Sequence, residues 1–334
     1  MDGRWALHPL RRIKATPVGF ESLGVRSMCM YVETPDVRVL IDPGVSLGPR
    51  FRLLPHPLEY RALRSCRARI KRFAAKAEVA TASHYHFDHI SPALDSDAVW
   101  TWSDRATASE IYGGKRLLVK DVREKINYSQ RKRGWIFQKI IRDAAKSVEA
   151  CDGRTYEFGG TTLRFSQPVV HGEDEGGLGW VVMLTITCAD EKLMHCPDVQ
   201  GPSSKDVLDL ILTENPQMAI VGGPPSYLAG FKTSRERISQ AVENLATLAR
   251  HLPVTVLDHH LLRDERWREV SDPAFKAAAE SGCRVLTAAE SAGLPNKLLE
   301  SQRKRLYEEH PPSEEFTKWT KLSREEQRRT KPPI

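Results

Sequence analysis

The chain has 334 residues, 40% hydrophobic and 28% charged, with 50 basic against 43 acidic side chains for a net charge of +7. That composition suits a soluble globular protein long enough to bury a real core, and no apolar run reaches the roughly eighteen residues that a membrane span needs. The charge excess is modest: it permits an anionic partner without demanding one.

The first residues, Met1 to Pro9, lack the apolar stretch of a secretory signal. Cys29, Cys66, Cys151, Cys188, Cys196 and Cys283 are widely spread and include no C-x-x-C pair, which suits reduced, buried thiols in a cytoplasmic enzyme. Cys196 reads as a small core residue.

Taken in chain order, Arg26-Ser27-Met28-Cys29-Met30-Tyr31-Val32-Glu33 and Val37-Arg38-Val39-Leu40-Ile41 predict a hairpin across Thr34-Pro35-Asp36, and the second run stops at the turn Asp42-Pro43-Gly44. Residues 58–77 read as a helix with Leu58, Ala62, Cys66, Ile70 and Phe73 inward, and Arg61, Arg64, Arg67, Arg69, Lys71 and Arg72 outward. A strand over Glu78-Val79-Ala80-Thr81-Ala82-Ser83 runs into His84-Tyr85-His86-Phe87-Asp88-His89, and Ile90-Ser91-Pro92 reads as a helix start. If the extended backbone continued, its period of two would put His84, His86 and Asp88 on one side, with His89 turning inward as the chain bends. Burying such polar groups without compensation costs roughly 2–7 kcal/mol each. Imidazole and carboxylate are good ligands for divalent first-row metals.

Val99-Trp100-Thr101-Trp102 reads as a short strand, and 128–149 as a second long helix with Trp135, Phe137, Ile140, Ile141, Ala144 and Val148 inward and Lys132, Arg133, Lys139, Arg142 and Lys146 around it. A second strand-rich half follows, with strands at 155–158, 161–165, 179–188, 192–195, 218–221, 254–258 and 284–287. Helices are expected at 203–214, 234–250, 272–281 and 295–309. Two such halves predict two sheets packed face to face with helices outside, a single domain over 1–310. Residues 311–334 are charged and Pro-flanked and read as a flexible tail anchored only by Phe316 and Trp319.

More metal-binding side chains sit where strands end: Asp42, His171, Asp198 and the doublet His259-His260. H-x-H-x-D-H after a strand, preceded by a strand-end Asp and followed in order by His, Asp and His, resembles the metallo-β-lactamase superfamily. Glu21-Ser22-Leu23-Gly24-Val25-Arg26-Ser27, Ile41-Asp42-Pro43-Gly44-Val45-Ser46-Leu47, Ser83-His84-Tyr85-His86 and Leu257-Asp258-His259-His260-Leu261-Leu262-Arg263-Asp264 resemble, more narrowly, a mainly archaeal family of predicted hydrolases within it, over residues of about 15 to 305.

The resemblance implies an α/β fold, an αββα sandwich of two mixed sheets with helices on both outer faces. It implies His84, His86 and His171 on one metal, Asp88, His89 and the last histidine on a second, and Asp198 bridging. Asp42 would orient an imidazole, and Asp88 would also take or relay a proton. Some superfamily members carry an arginine four residues after the last ligand histidine, which fits His259 with Arg263; His260 is the alternative. His195 reads as a core histidine, and His8, His56, His251 and His310 as surface residues.

Two divalent cations, zinc with iron or manganese as alternatives, would activate water for hydrolysis. The expected substrate is a phosphoester, small or in a nucleic acid, because the basic helix faces could follow phosphates. A carboxylic ester, lactone or thioester is the alternative for the same site, with Gly222-Gly223-Pro224-Pro225-Ser226-Tyr227 as a rigid loop beside it. A non-catalytic binding protein that keeps the fold is the third reading.

Overall fold

The computed structural model describes residues 9–94, 98–172 and 177–334; His8 lies outside them. The first half supplies β1 (Lys14–Phe20), β2 (Met28–Glu33), β3 (Arg38–Ile41), β4 (Val79–Ala82), β5 (Arg116–Val119) and β6 (Ser147–Ala150), paired in that order in one six-stranded sheet. The second half supplies β7 (Thr155–Phe158), β8 (Thr161–Phe165), a two-residue pair β9 (Val169–Val170) and β10 (Trp180–Val181), then β11 (Leu184–Cys188), β12 (Glu191–Cys196), β13 (Met218–Gly222), β14 (Val254–Asp258) and β15 (Arg284–Leu286). Seven of these form the second sheet in the order β15-β14-β13-β12-β11-β8-β7.

Helices cover both outer faces. The chain order is α1 (Pro57–Ala74), α2 (Ala98–Thr101), α3 (Arg105–Tyr112), α4 (Tyr128–Ile141), α5 (Lys205–Glu214), α6 (Arg235–His251), α7 (Trp267–Glu280), α8 (Ala288–Ser291), α9 (Arg303–Glu309), α10 (Glu314–Thr320) and α11 (Arg324–Arg329). The strands explain the layering. In β2, Met28, Met30 and Val32 point into the core shared with Leu184, Ile186, Ile220 and Val256 of the other sheet, while Cys29 and Tyr31 point out at α1 through Cys66 and Ile70. Both faces are buried, so β2 reads as an unbroken apolar run. This is the αββα sandwich that the resemblance implies.

Each sheet is partly antiparallel and partly parallel. β3, β4, β5 and β6 run parallel, as do β12, β13, β14 and β15. Parallel neighbours end on the same edge, and the loops that leave those carboxyl ends are where an open α/β sheet gathers a site.

Several sequence expectations need correction. The helix expected over 128–149 stops at Ile141, and Ser147–Ala150 is the edge strand β6. Gln130, Gly134, Phe137 and Ile141 are its buried stripe, whereas Trp135 is 58% exposed. The strand expected at 99–102 is instead α2, and Ile90-Ser91-Pro92 starts no helix. Arg67 is buried, not outward: it donates to the carbonyls of Thr101, Pro43 and Val45 and to Ser91. His56 is buried too, because it caps α1 in a reciprocal pair with Glu59 and meets the His310 carbonyl at 2.8 Å.

The expected flexible tail is also corrected. α10 and α11 fold back, and Phe316 and Trp319 are buried with their rings 6.0 and 5.8 Å from that of Tyr60. Two large rings on an existing apolar surface outweigh the charge of the segment around them.

Candidate metal centre

Most of the candidate side chains follow a parallel strand, while His171 follows β9 of the separate antiparallel pair. Asp42 comes straight after β3, His84 two residues after β4, Asp198 two after β12, and His259 straight after β14. The chain must turn sharply there, and Asp42, Asp198 and His259 do so in the left-handed region, at φ 45°, 51° and 66°. For non-glycine residues that costs on the order of 1–3 kcal/mol each and persists where the surroundings enforce it. The strand ends at Ala82, so the histidine motif is a turn rather than a continued strand, closed by Ile90 N donating to His86 O at 3.0 Å. Alternation does not sort these ligand types; the turn does.

Asp198 is the hub. Its carboxylate lies 2.7 Å from His171 Nε2, 2.8 Å from His259 Nε2, 3.2 Å from His84 Nε2, 3.5 Å from His89 Nε2, 3.8 Å from His86 Nδ1 and 4.0 Å from His260 Nδ1. Asp88 Oδ2 is 3.7 Å from His259 Nε2. The donor atoms fall into compact groups: His84, His86, His171 and Asp198; Asp88, His89 and His259; and Asp198, His259 and His260. All eight side chains expected as ligands from the sequence therefore converge. Of the doublet, His259 is fully buried and nearer to Asp198, whereas His260 stands at the edge with its side chain 12% exposed.

Two further carboxylates aim imidazoles into the centre. Asp42 Oδ2 accepts from His89 Nδ1 at 2.8 Å, held by Ser83 N, which donates to Oδ1 at 2.8 Å, and by the Ser83 hydroxyl. Glu21 Oε2 accepts from His259 Nδ1 at 2.8 Å, and Arg263 Nε donates to Oε1 at 2.6 Å. With Nδ1 engaged, each ring turns Nε2 toward Asp198, the tautomer a metal ligand needs. Among the described residues, five of the eight buried polar side-chain atoms without a hydrogen bond lie here: His89 Nε2, both His171 ring nitrogens, Asp198 Oδ1 and His260 Nδ1.

The charge states sharpen the point. Burial pushes His84, His86 and His260 below the ordinary histidine value, toward the neutral ring. Burial works against charge on Asp198 and Asp88 as well, but the surrounding histidines, and Arg263 for Asp88, hold both carboxyls well below their usual range. His259 is pushed up to about 9, since Glu21 and Asp198 outweigh its burial. One carboxylate has about four lone-pair positions and cannot satisfy six rings. Asp198 and Asp42 likewise outweigh burial at His89 and hold it well above the ordinary value. The neutral lone pairs of His84, His86 and His260 face ionised oxygens, and the protons on His89 and His259 sit where a cation would replace them, so the donor set fits divalent metals.

The chain is 44% identical over 298 residues to a UPF0282 protein of Pyrobaculum neutrophilum, covering 89% of this chain and 95% of that one. To UPF0282 proteins of Methanopyrus kandleri and Methanocaldococcus jannaschii it is 42% and 39% identical, over 88% of this chain and 99% and 96% of theirs. It belongs to the UPF0282 family. No protein-family model matches the chain. Among solved structures it is similar to the metallo-β-lactamase fold protein YhfI of Bacillus subtilis, at 14% identity and a TM-score of 0.47 over 82% of this chain and 95% of that one. It is also similar to CmlA, a diiron β-hydroxylase from Streptomyces venezuelae, at 12% identity and 0.49 over 84% and 53%.

In this family member the sequence reading missed Glu21 as a site residue. It stands inside a stretch that carries the family likeness, but nothing in its type or spacing announces a partner 238 positions away. It also missed two glycines that let the site close. A Cβ on Gly44 would lie 2.3 Å from Ile90 N and 2.4 Å from His89 N, and one on Gly134 would lie 2.6 Å from the Tyr85 ring. His195 bonds the Met28 carbonyl inside the fold at 2.9 Å, as a core histidine does. All six cysteines are free, and Cys196 is buried among apolar side chains. Among the described residues no helix is long and apolar enough to cross a membrane.

Proposed function

We propose that this chain is a cytoplasmic dinuclear metal-dependent hydrolase whose preferred substrate is a phosphodiester. The observation that carries the reading is Asp198, a single ionised carboxylate shared by two compact donor groups in which both ring nitrogens of His171 and Nδ1 of His260 lack hydrogen-bond partners. His84, His86 and His171 would hold one cation, Asp88, His89 and His259 the other, and Asp198 both. When bound, such a pair supplies Lewis acidity that makes water nucleophilic near neutral pH and stabilises charge on the substrate.

The chain's own residues do the rest. Asp42 and Glu21 fix the rings of His89 and His259, so the donors are arranged before substrate arrives. Asp88, oriented by Arg263 Nη2 at 3.5 Å and partly open to solvent, stays ionised and is placed to hydrogen-bond a water and relay its proton. His86, with 29% of its side chain exposed, marks the mouth of the site, and His260 stands beside it with a free ring nitrogen. Preference for phosphate over an acyl group rests on α4, whose Gln130 Nε2 reaches to 3.5 Å from His86 Nε2 and whose outer side is basic.

The test is turnover by zinc-, manganese- and iron-loaded protein on bis(p-nitrophenyl) phosphate, a lactone and a thioester. Cleavage of the phosphodiester, lost on chelation, is expected. Activity confined to the acyl compounds would move the assignment to an esterase, and no turnover of any of the three would leave the binding-protein reading in its place.

A further inference from the structure

On α4, Tyr128, Arg131, Lys132, Trp135 and Lys139 occupy positions i, i+3, i+4, i+7 and i+11. In a surface helix that spacing usually marks the apolar stripe that faces the core. Here it faces water instead: Tyr128 is 81% and Trp135 58% exposed, and the three cations between and beyond them are exposed as well. The inward stripe is a separate one, and it is occupied by Gln130, Gly134, Phe137 and Ile141. Val122, Arg123, Tyr128, Arg131, Lys132 and Trp135 line a shallow depression of about 450 Å³.

The helix has four basic residues and no acidic one among Tyr128–Ile141. Lys139 Nζ stands 5.1 Å from the Trp135 ring, and Arg133 packs 4.8 Å from the ring of Phe87, inside the histidine motif. Near its N-terminal end α4 reaches the candidate metal centre, where Gln130 Nε2 lies 3.5 Å from His86 Nε2. Lys125 Nζ lies 5.9 Å from the Trp180 ring, Trp180 pairs with Val170, and His171 follows directly.

Isolated exposed rings need no explanation, but two of them two helical turns apart, about 10 Å along the axis, and separated by cations do. Flat rings at intervals along a basic track suit one ligand chemistry: bases that stack while phosphates run past cations. A duplex hides the faces of its bases, so the ligand is a single strand. The other basic helix lacks these features. In α1, Arg67 is buried and Lys71 is paired with Glu110 at 2.6 Å.

We infer that the outward face of α4 docks a single-stranded polynucleotide and leads it toward the metal centre. This rests on the phosphodiester reading above and extends it to a polymeric substrate held outside the site.

The probe is a fluorescein-labelled ten-nucleotide strand, as oligo-dT and oligo-U, against a duplex of the same length, read by anisotropy on the full chain. Binding needs no turnover, so the measurement stands apart from catalysis. Expected are preference for the single strands over the duplex, a loss of about five-fold or more for each of Tyr128→Ala and Trp135→Ala, and a salt slope shallower by about 0.7 for Lys132→Ala. Arg61→Ala with Arg64→Ala should leave affinity unchanged. All these side chains are exposed, and circular dichroism checks that each variant folds. The relative strength of oligo-dT and oligo-U identifies DNA or RNA as the source. Equal binding of duplex, or a Tyr128→Ala/Trp135→Ala double variant with wild-type affinity, overturns the inference. An inert protein that still binds through Tyr128 and Trp135 overturns the hydrolase reading alone.

Discussion

Glu21 and His259 are 238 positions apart in sequence and 2.8 Å apart in space. One carboxylate oxygen takes the Nδ1 proton of His259 while the other takes a hydrogen bond from Arg263 at 2.6 Å. The ring orientation is thus set by the loop after β1, from the opposite half of the molecule. Asp42 does the same for His89. Both supporting carboxylates thus come from the first half, while the imidazoles they hold come one from each half and meet at Asp198.

Removing the charge behind the ring should therefore weaken metal binding without removing a ligand. Glu21→Gln is expected to lower affinity about 10–100-fold, measured by competition with a chromophoric chelator. Unchanged affinity would mean that the pair is only structural.

Purified protein should carry about two equivalents of divalent metal by elemental analysis. Chelation should lower the melting temperature, because the cations bind the folded state alone, and added zinc should restore it. His86→Ala should lose metal and turnover, whereas His310→Ala, an exposed histidine, should lose neither. Full metal content in His86→Ala would refute the ligand assignment.

Gly44→Ala should be more harmful than its size suggests. The added methyl would meet the backbone of His89 and Ile90 at 2.3–2.4 Å, and backbone cannot step aside as a flexible side chain can. Overpacking of this kind costs about 1–3 kcal/mol or more, and here it also displaces a candidate ligand. Urea unfolding and metal titration should both register it. A variant with wild-type stability and loading would show that the loop has room the structure does not indicate.

Glu300 gives a pH dependence with a definite sign. Its carboxyl is buried, which disfavours charge, yet Arg26 at 2.6 Å and the further cations Arg263 and Arg303 bring its pKa down to about 2. A depressed carboxyl adds stability above its unfolded value, near 4.5, and loses it as pH falls toward 2. The full contribution is about 3 kcal/mol. Glu300→Gln should thus be clearly less stable than wild type at pH 7, with the gap narrowing between about pH 4.5 and 2. Denaturation curves that keep a constant gap across that range would contradict it.

The layers and the candidate donors are legible in the residue pattern alone. Runs such as Met28–Glu33 and Val254–Asp258 are apolar on both faces, which only a strand between two packed layers requires. Imidazoles and carboxylates at strand ends had no other economical use. Candidate donors are legible because coordination chemistry restricts residue type. Short-range periodicity failed where a tertiary partner overrode it. Helical spacing places Trp135 inward, but Gly134 and Gln130 take that side of α4, where Tyr85 leaves no space for a ring. The tail was assigned to solvent because of its charge, but Phe316 and Trp319 find Tyr60.

Which groups stand behind the donors, and which histidine of the doublet is nearer the centre, follow from packing alone. His259 and His260 are the same residue type one position apart. What separates them is a left-handed backbone at His259 and the carboxylate of Glu21 waiting there. A hydrogen bond across 238 positions leaves no local imprint, since either residue alone would be unremarkable in any loop. Its selection is made by the packing of two sheets against each other.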